Sequence, residues 1–346
     1  SRQLEKFTSG AANFTLDNRD RIFDPLMTAS PYYGSIVPRK EVQISRRGQL
    51  LYVGNVEDWN FGFTLAGDAT AEPSCVDGFA YLAPQNIGPQ TNTSQTSGAR
   101  VNTILSQLNW PSTKKNVATG KVTLDADVVP AETDALGYLQ RVEMSEIGAF
   151  FMDRQGFARF RDRTELQAFT SGIIFGSGGI PFQNIETVYG TEELWNKVSV
   201  TYTSGGVVAG TAIAENLESE SAYGVFARQY DTLLASGSDA TAMATWQAER
   251  YSEPTFRVDG LQINMAGITT EQAQQVLALE LGDVAQVVWS PSNLPPAVSQ
   301  YVTIDGIEHQ ATPSTHIVSL RLSETYASFI LDNTTFGQLN DDILGF

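Results

Sequence analysis

The sequence has 346 residues, 39 acidic against 22 basic, and a formal net charge of −17; a surface of that sign repels phosphate backbones and argues against specific nucleic-acid binding. Hydrophobic residues make up 42% and charged ones 18%, with 29 Gly and 14 Pro scattered among Thr, Ser and Asn, which describes a folded, turn-rich, mainly β chain with room for two or three domains. No apolar run approaches the roughly 20 residues of a spanning helix and no basic leader opens the chain, so a soluble protein with neither membrane insertion nor signal peptide is expected.

In chain order, Ala12, Phe14 and Leu16 share one face of a short alternating strand, which runs into the acidic, turn-forming LDNRDRIFDP and then an SPYY segment. Alternating runs at 42–45 and 50–56 flank the basic turn Arg46, Arg47, Gly48, and runs at 61–66 and 70–76 lead to Asp77, an expected N-cap for a short turn at 78–83. Residues 84–98, PQNIGPQTNTSQTSG, are polar and nearly uncharged, and a linker or long exposed loop is expected there. Since the chain starts at Ser1, about ten residues ahead of its first strand, further residues upstream are expected.

From 99 the period changes. Val101, Ile104, Leu105 and Leu108 fall at helical spacing, and that helix should stop before Pro111. A second helix is predicted from 133 or 134 to 145, with Leu136, Leu139 and Val142 on one face, followed by a hairpin of 149–152 and 157–161. Beyond 190 the expected strands are 198–202, 207–214, 255–265, 284–289, 301–305, 307–311 and 317–322, with Asp305-Gly306 as a hairpin turn. Helices are expected at 239–251 and from Thr269 or Thr270. The predicted fold class is mainly β with an α+β insertion: two similar β-barrel-like (split-barrel) domains, 1–98 and 190–330, flank a smaller α/β domain at 99–189, and 331–346 form a C-terminal extension. An internal echo joins the ends, FTLDN at 14–18 recurring as FILDN at 329–333.

Residues with chemical potential have simpler readings. Cys75 stands alone and is expected to be a buried, inert side chain. His309 and His316 are the two histidines, in a strand–turn–strand segment whose spacing matches no zinc motif; a hydrogen-bonded pair beside a hairpin is expected. Carboxylates cluster at Asp17, Asp20 and Asp24, Asp125 and Asp127, Glu218 and Glu220, and Asp341 and Asp342, in turns where solubility and Asx-turns account for them. The run Ser177, Gly178, Gly179 lacks the Lys-Ser or Lys-Thr of a phosphate loop. Tyr32, Tyr33, Trp59, Trp110, Trp195 and Trp289 are expected to anchor cores or subunit contacts. No catalytic residue, cofactor or metal ligand is assigned, and an enzyme is not expected.

The segment GAANFTLDNRDRIFDPLMTASPYYGSIVPRKEVQISRRGQLLYVGNV resembles the tail-tip (baseplate) hub or minor tail proteins of long-tailed bacteriophages, especially non-contractile-tailed phages of actinobacteria. There a strand with an LDN-type corner precedes an FDP turn, an SPY segment and a hairpin closing on a Gly, here Gly54. The resemblance continues through LWNKVSVTY (194–202), SAYGVFARQY (221–230), Leu-Gly-Asp at 281–283, IDGIEHQATPSTHIVSLRL (304–322) and FILDNTTFGQLNDDILGF at the C-terminus. It implies a structural virion protein at the distal end of a tail, whose two barrels per chain close a homotrimeric ring of six similar barrels. The implied partners are further copies of itself, a distal tail protein or tail tube above, the end of the tape-measure protein in the lumen, and tip or receptor-binding proteins below. Within that reading the expected interface is Tyr32, Tyr33, Val42, Ile44, Leu50 and Tyr52, with Val198, Val200 and Tyr202 on an edge strand of the second barrel. The alternatives are a hexameric distal tail protein and a module that binds or hydrolyses envelope glycans.

Overall fold

The computed structural model describes residues 7–166, 172–291 and 296–325. The chain is mainly β. In the first sheet, Ala11–Asn13 and Leu16–Asp17 both pair antiparallel with Ala69–Val76, which pairs with Gln49–Phe63, which pairs with Glu41–Arg46. The runs expected at 50–56 and 61–66 are one strand, because a register shift between Val56 and Asp58 lets it bend without breaking the ladder. The Arg46 turn closes on two residues, Arg47 (φ 50°) and Gly48 (φ 80°), with Arg46 facing Gln49; two positive φ values in a two-residue loop make the primed turn that matches strand twist.

Residues 84–98 do not form a linker. Asn86–Ile87, Gln90–Asn92 and Gln95–Thr96 pair antiparallel with Thr133–Asp134, Asp127–Val129 and Thr123–Leu124. Ile87 and Asn92 are buried, and Arg100, fully buried, fastens the ribbon from the next helix. Its guanidinium donates to Asp127 Oδ1 (2.9 Å), Tyr138 Oη (2.6 Å), Thr93 O (3.0 Å) and Asp125 O (2.7 Å). Asn92 Nδ2 and Tyr138 Oη donate to the same carboxylate, at 2.7 Å each. A polar composition therefore hides an ordered element whose partners are other polar groups.

The helices follow their periodicity. Ser97–Gln107 starts at the Thr96 cap and buries Val101, Ile104 and Leu105; Ala135–Glu146 starts where Asp134 accepts from the N–H of Leu136 and Gly137. They pack with the hairpin Ala149–Met152/Ala158–Arg161, and the same core takes in Val198, Val200, Tyr230, Leu233, Leu234 and the inner face of helix Gly237–Arg250. A second core fills the six-stranded sheet ordered Ile174–Gly176, Val284–Trp289, Val298–Ala311, His316–Glu324, Phe256–Asn264, Asn184–Tyr189, backed by helix Thr270–Ala278 with its Thr269/Gln272 capping box. The hydrophobic packing thus joins 194–250 to 79–166, while strands from 174–189 enter the last sheet.

Asp305-Gly306 is not a hairpin turn. Val298–Ala311 is continuous and both its halves pair with His316–Glu324; Asp305 sits at a bulge between Ile304, opposite Leu322, and Gly306, opposite Arg321. The chain reverses at 312–315, where Thr312 N–H donates to Thr315 O. The FILDN half of the echo, the 331–346 extension, and Asp341 and Asp342 lie outside the described residues.

Candidate assembly interface

Between Leu16–Asp17 and Glu41–Arg46 the chain forms a spiral of turns. The N–H groups of Arg21, Asp24, Met27, Ser30 and Tyr33 each donate to the carbonyl three residues back. Side chains seal the spiral: buried Asn18 accepts from Phe23 N–H (2.9 Å), Asp24 Oδ1 from Leu26 N–H (2.8 Å), and Ser30 Oγ donates to Ile22 O (2.5 Å) while accepting from Tyr32 N–H (3.0 Å). The Phe23 and Tyr32 rings stack at 5.5 Å. These bonds brace the spiral from within, and it presents Leu26, Tyr32, Tyr33 and Val37 to solvent. Exposed apolar and aromatic side chains on a braced loop have the character of an interaction surface.

The other expected interface residues divide. Val42 and Ile44 are half-buried on the edge strand Glu41–Arg46, and Leu50 lies half-buried beside them. Tyr52 turns inward: a Cβ at Gly54 would stand 2.2 Å from its hydroxyl oxygen, so the glycine makes room for the ring. Burial first, then the charge of Asp77, pushes the Tyr52 phenol up. Val198 and Val200 are a correction, since both are fully buried in the chain's own core and unavailable to a neighbour. Their strand, Lys197–Ser204, lies between Val207–Glu215 and Ala227–Tyr230, so it is a middle strand and not an edge. Tyr202, half-buried, covers Gly210 and Gly237. The free edge is Val207–Glu215, where Val207, Val208 and Ile213 are exposed. Alternation alone cannot distinguish a central strand from its neighbour when both are apolar.

The first sheet meets the last around a cavity of about 110 Å³ lined by Tyr52, Asp77, Arg154, Leu279, Glu280 and His309 among others. Burial raises the carboxyl pKa of both Asp77 and Glu280. Arg154 spans the junction, its N–H donating to Glu280 Oε2 (3.1 Å) and its guanidinium to Leu277 O (2.9 Å); Arg161 Nη2 donates to Asp283 Oδ1 at 3.1 Å. His309 Nδ1 and His316 Nε2 lie 3.2 Å apart across the final hairpin. Burial, then His316, then Arg46 hold His309 down to about 4; burial, then Arg46 and Arg47, lower His316. Both rings are thus held toward the neutral form, in which an N–H of one ring can donate to the bare nitrogen of the other.

The remaining candidates have local duties. Arg19 holds Asp17 down to about 2 through side-chain and backbone hydrogen bonds, Asp125 accepts from Gly206 N–H (3.0 Å), and Glu218 and Glu220 occupy the first turn of helix Leu217–Tyr223. Cys75 is buried, and that burial raises its thiol pKa. Trp59 Nε1 donates to Val37 O (3.3 Å), Trp110 Nε1 to Lys114 O (2.7 Å), and Arg228 lies over the Trp195 ring at 4.5 Å. Trp289 stacks on Phe256 at 6.4 Å. Among the described residues no three His, Cys, Asp or Glu side chains converge as a metal site, and no helix is long and apolar enough to cross a membrane.

Two solved structures match the arrangement over nearly its whole length. The 43 kDa tail protein of prophage MuSo2 from Shewanella oneidensis is 13% identical over 93% of this chain and 92% of its own, with a TM-score of 0.60. The tail protein of Neisseria meningitidis MC58 is 10% identical over 92% and 88%, with a TM-score of 0.62. This chain has the fold of the phage tail proteins. The E. coli c3393 protein, a type VI secretion component described as similar to T4 tail proteins gp27 and gp5, matches at TM-score 0.50 and 14% identity over 91% of this chain and 69% of that one. No family model and no curated protein matches the sequence.

Proposed function

We propose that this tail-protein fold serves as a hub of a phage tail tip, three copies forming a ring that joins the tail tube or distal tail protein to the tip. The observation that carries the reading is the match to two tail proteins, one of them from a prophage, across more than nine-tenths of the chain. In the ring, two β lobes of each chain, one around the five-stranded sheet and one around the six-stranded sheet, occupy alternating positions as split barrels. Three copies thereby present six similar positions to a six-fold tube. The turn spiral carrying Tyr32 and Tyr33 is a contact surface, the tape-measure end lies in the lumen, and tip proteins attach below. The net charge of −17 supports an acidic bore along which DNA slides without adhering.

The role is structural and not catalytic: Asp17, Asp24, Asp125 and Asp127 hold turns, backbone and Arg100. Release of reducing sugar from host envelope polymer by the purified protein, abolished by Asp17→Asn without unfolding, contradicts this part. Native mass spectrometry of the isolated tail tip tests the ring: three copies are expected, whereas six indicate a distal tail protein.

A further inference from the structure

Val207–Glu215 is a nine-residue strand, VVAGTAIAE, with one neighbour and one free edge. Residues 207–214 carry no charge, and Val207, Val208 and Ile213 are 67%, 58% and 58% exposed. A long, flat, apolar edge invites pairing, and soluble proteins blunt such edges with charge, proline, bulges or brevity. The other sheet edges among the described residues carry those devices. Glu41–Arg46 has a charge at each end, Asn184–Tyr189 has Glu186 and a register shift beside it, Ala227–Tyr230 is four residues with Arg228, and Ala11–Asn13, Ile174–Gly176 and Lys115–Val117 are three residues each. The strand Ala149–Met152 is wholly buried. In Val207–Glu215 the register shift is confined to the hairpin end, opposite Tyr202 and Thr203, which leaves 210–215 regular, and its one charge, Glu215, is paired with Lys197.

We propose that a second copy of this chain covers the Val207–Glu215 edge, pairing backbone to backbone along it. The charge selects the occupant. Two copies at −17 each repel over most of their surface, so a copy-to-copy seam belongs where charge is absent, whereas a basic foreign partner would be drawn to the acidic faces. Leu217, two residues past the strand's end, is also exposed, and Val128 adjoins the strand's start through Gly206. This rests on the ring reading above and assigns one of its seams.

The test compares the full chain with V208K/I213K, whose substituted side chains are exposed and leave the core intact. Both are followed by light scattering against concentration, melting temperature, and amide exchange of 207–215. The wild type should assemble with those amides gaining protection, and the variant should melt alike but need at least about tenfold more protein to assemble, the factor that 1.4 kcal/mol produces. A variant that assembles as the wild type does overturns the edge assignment and leaves the ring standing. A wild type that stays monomeric at its highest soluble concentration overturns both. Edge amides already protected in the monomer mean that the chain covers the strand itself, which also overturns the assignment.

Discussion

Single residues hold the fold at a few buried polar points. Arg100 has no exposure and anchors Asp127, Tyr138 and two carbonyls. Removing one member of a buried ion pair strands the other, so Arg100→Ala should lose about 3–5 kcal/mol in urea unfolding, while Asp17→Asn at the exposed corner should leave the melting temperature unchanged. The histidine pair gives a pH dependence with a definite sign. Unfolded His309 takes up a proton near 6.5, but in the fold it resists protonation down to about 4, so its contribution is present above 6.5 and is lost as pH falls toward 4. Burial raises Asp77, Glu280 and Glu324 and works in the opposite sense, which makes the difference between wild type and His309→Gln the informative quantity. That difference should shrink by about 1–3 kcal/mol from pH 7 to pH 4; a flat difference contradicts the neutral, hydrogen-bonded pair. The burial of Cys75 and the paired histidines were legible in sequence because each depends on a few local neighbours; Asp77, expected as the N-cap of the turn at 78–83, accepts from Phe79 N–H (2.9 Å) one residue ahead of the actual cap, Gly78. The Arg100 network was not, because its partners come from 93, 125, 127 and 138.

Elements were legible where period and cap agree. Helices were expected in all four places, and the starts at Asp134 and Thr269 were legible, whereas the Thr96 and Ser236 caps of helices 97–107 and 237–250 were not, the first lying in the run expected to be a linker and the second three residues ahead of the expected start. Thr269→Ala should cost about 1 kcal/mol through the lost capping box, readable as a lower melting temperature. Failures came where side-chain chemistry and backbone role part company. Asp305-Gly306 has turn chemistry yet supplies a bulge, because the strand on both sides faces one long partner. The polar run 84–98 forms a ribbon because its alternate residues meet buried partners that composition does not reveal. Asn184–Tyr189 was missed because, as an outer strand, it buries little on either face. The edge-strand assignment slipped by one strand for a related reason: Val198, Val200 and Ile213 read alike, and only the sheet order separates core from edge.

At the scale of the whole molecule, the LDN, FDP and SPYY motifs pointed to the tail-protein fold before any packing was visible. The grouping of the cores was not legible: helix Gly237–Arg250 and residues 197–234 share a core with helices Ser97–Gln107 and Ala135–Glu146, far upstream in the chain, and local pattern carries no information about such pairing. The chain also displays surfaces that its own folding does not explain, Tyr32 and Tyr33 on the spiral and Val207–Glu215 at a sheet edge, and the proposed ring would bury both against neighbouring copies. Electron cryomicroscopy of the assembled phage particle tests that account most directly. It predicts three copies in a closed ring at the distal end of the tail, each giving two lobes to six similar positions around the DNA path; a solitary copy, or a ring placed elsewhere in the virion, would contradict it.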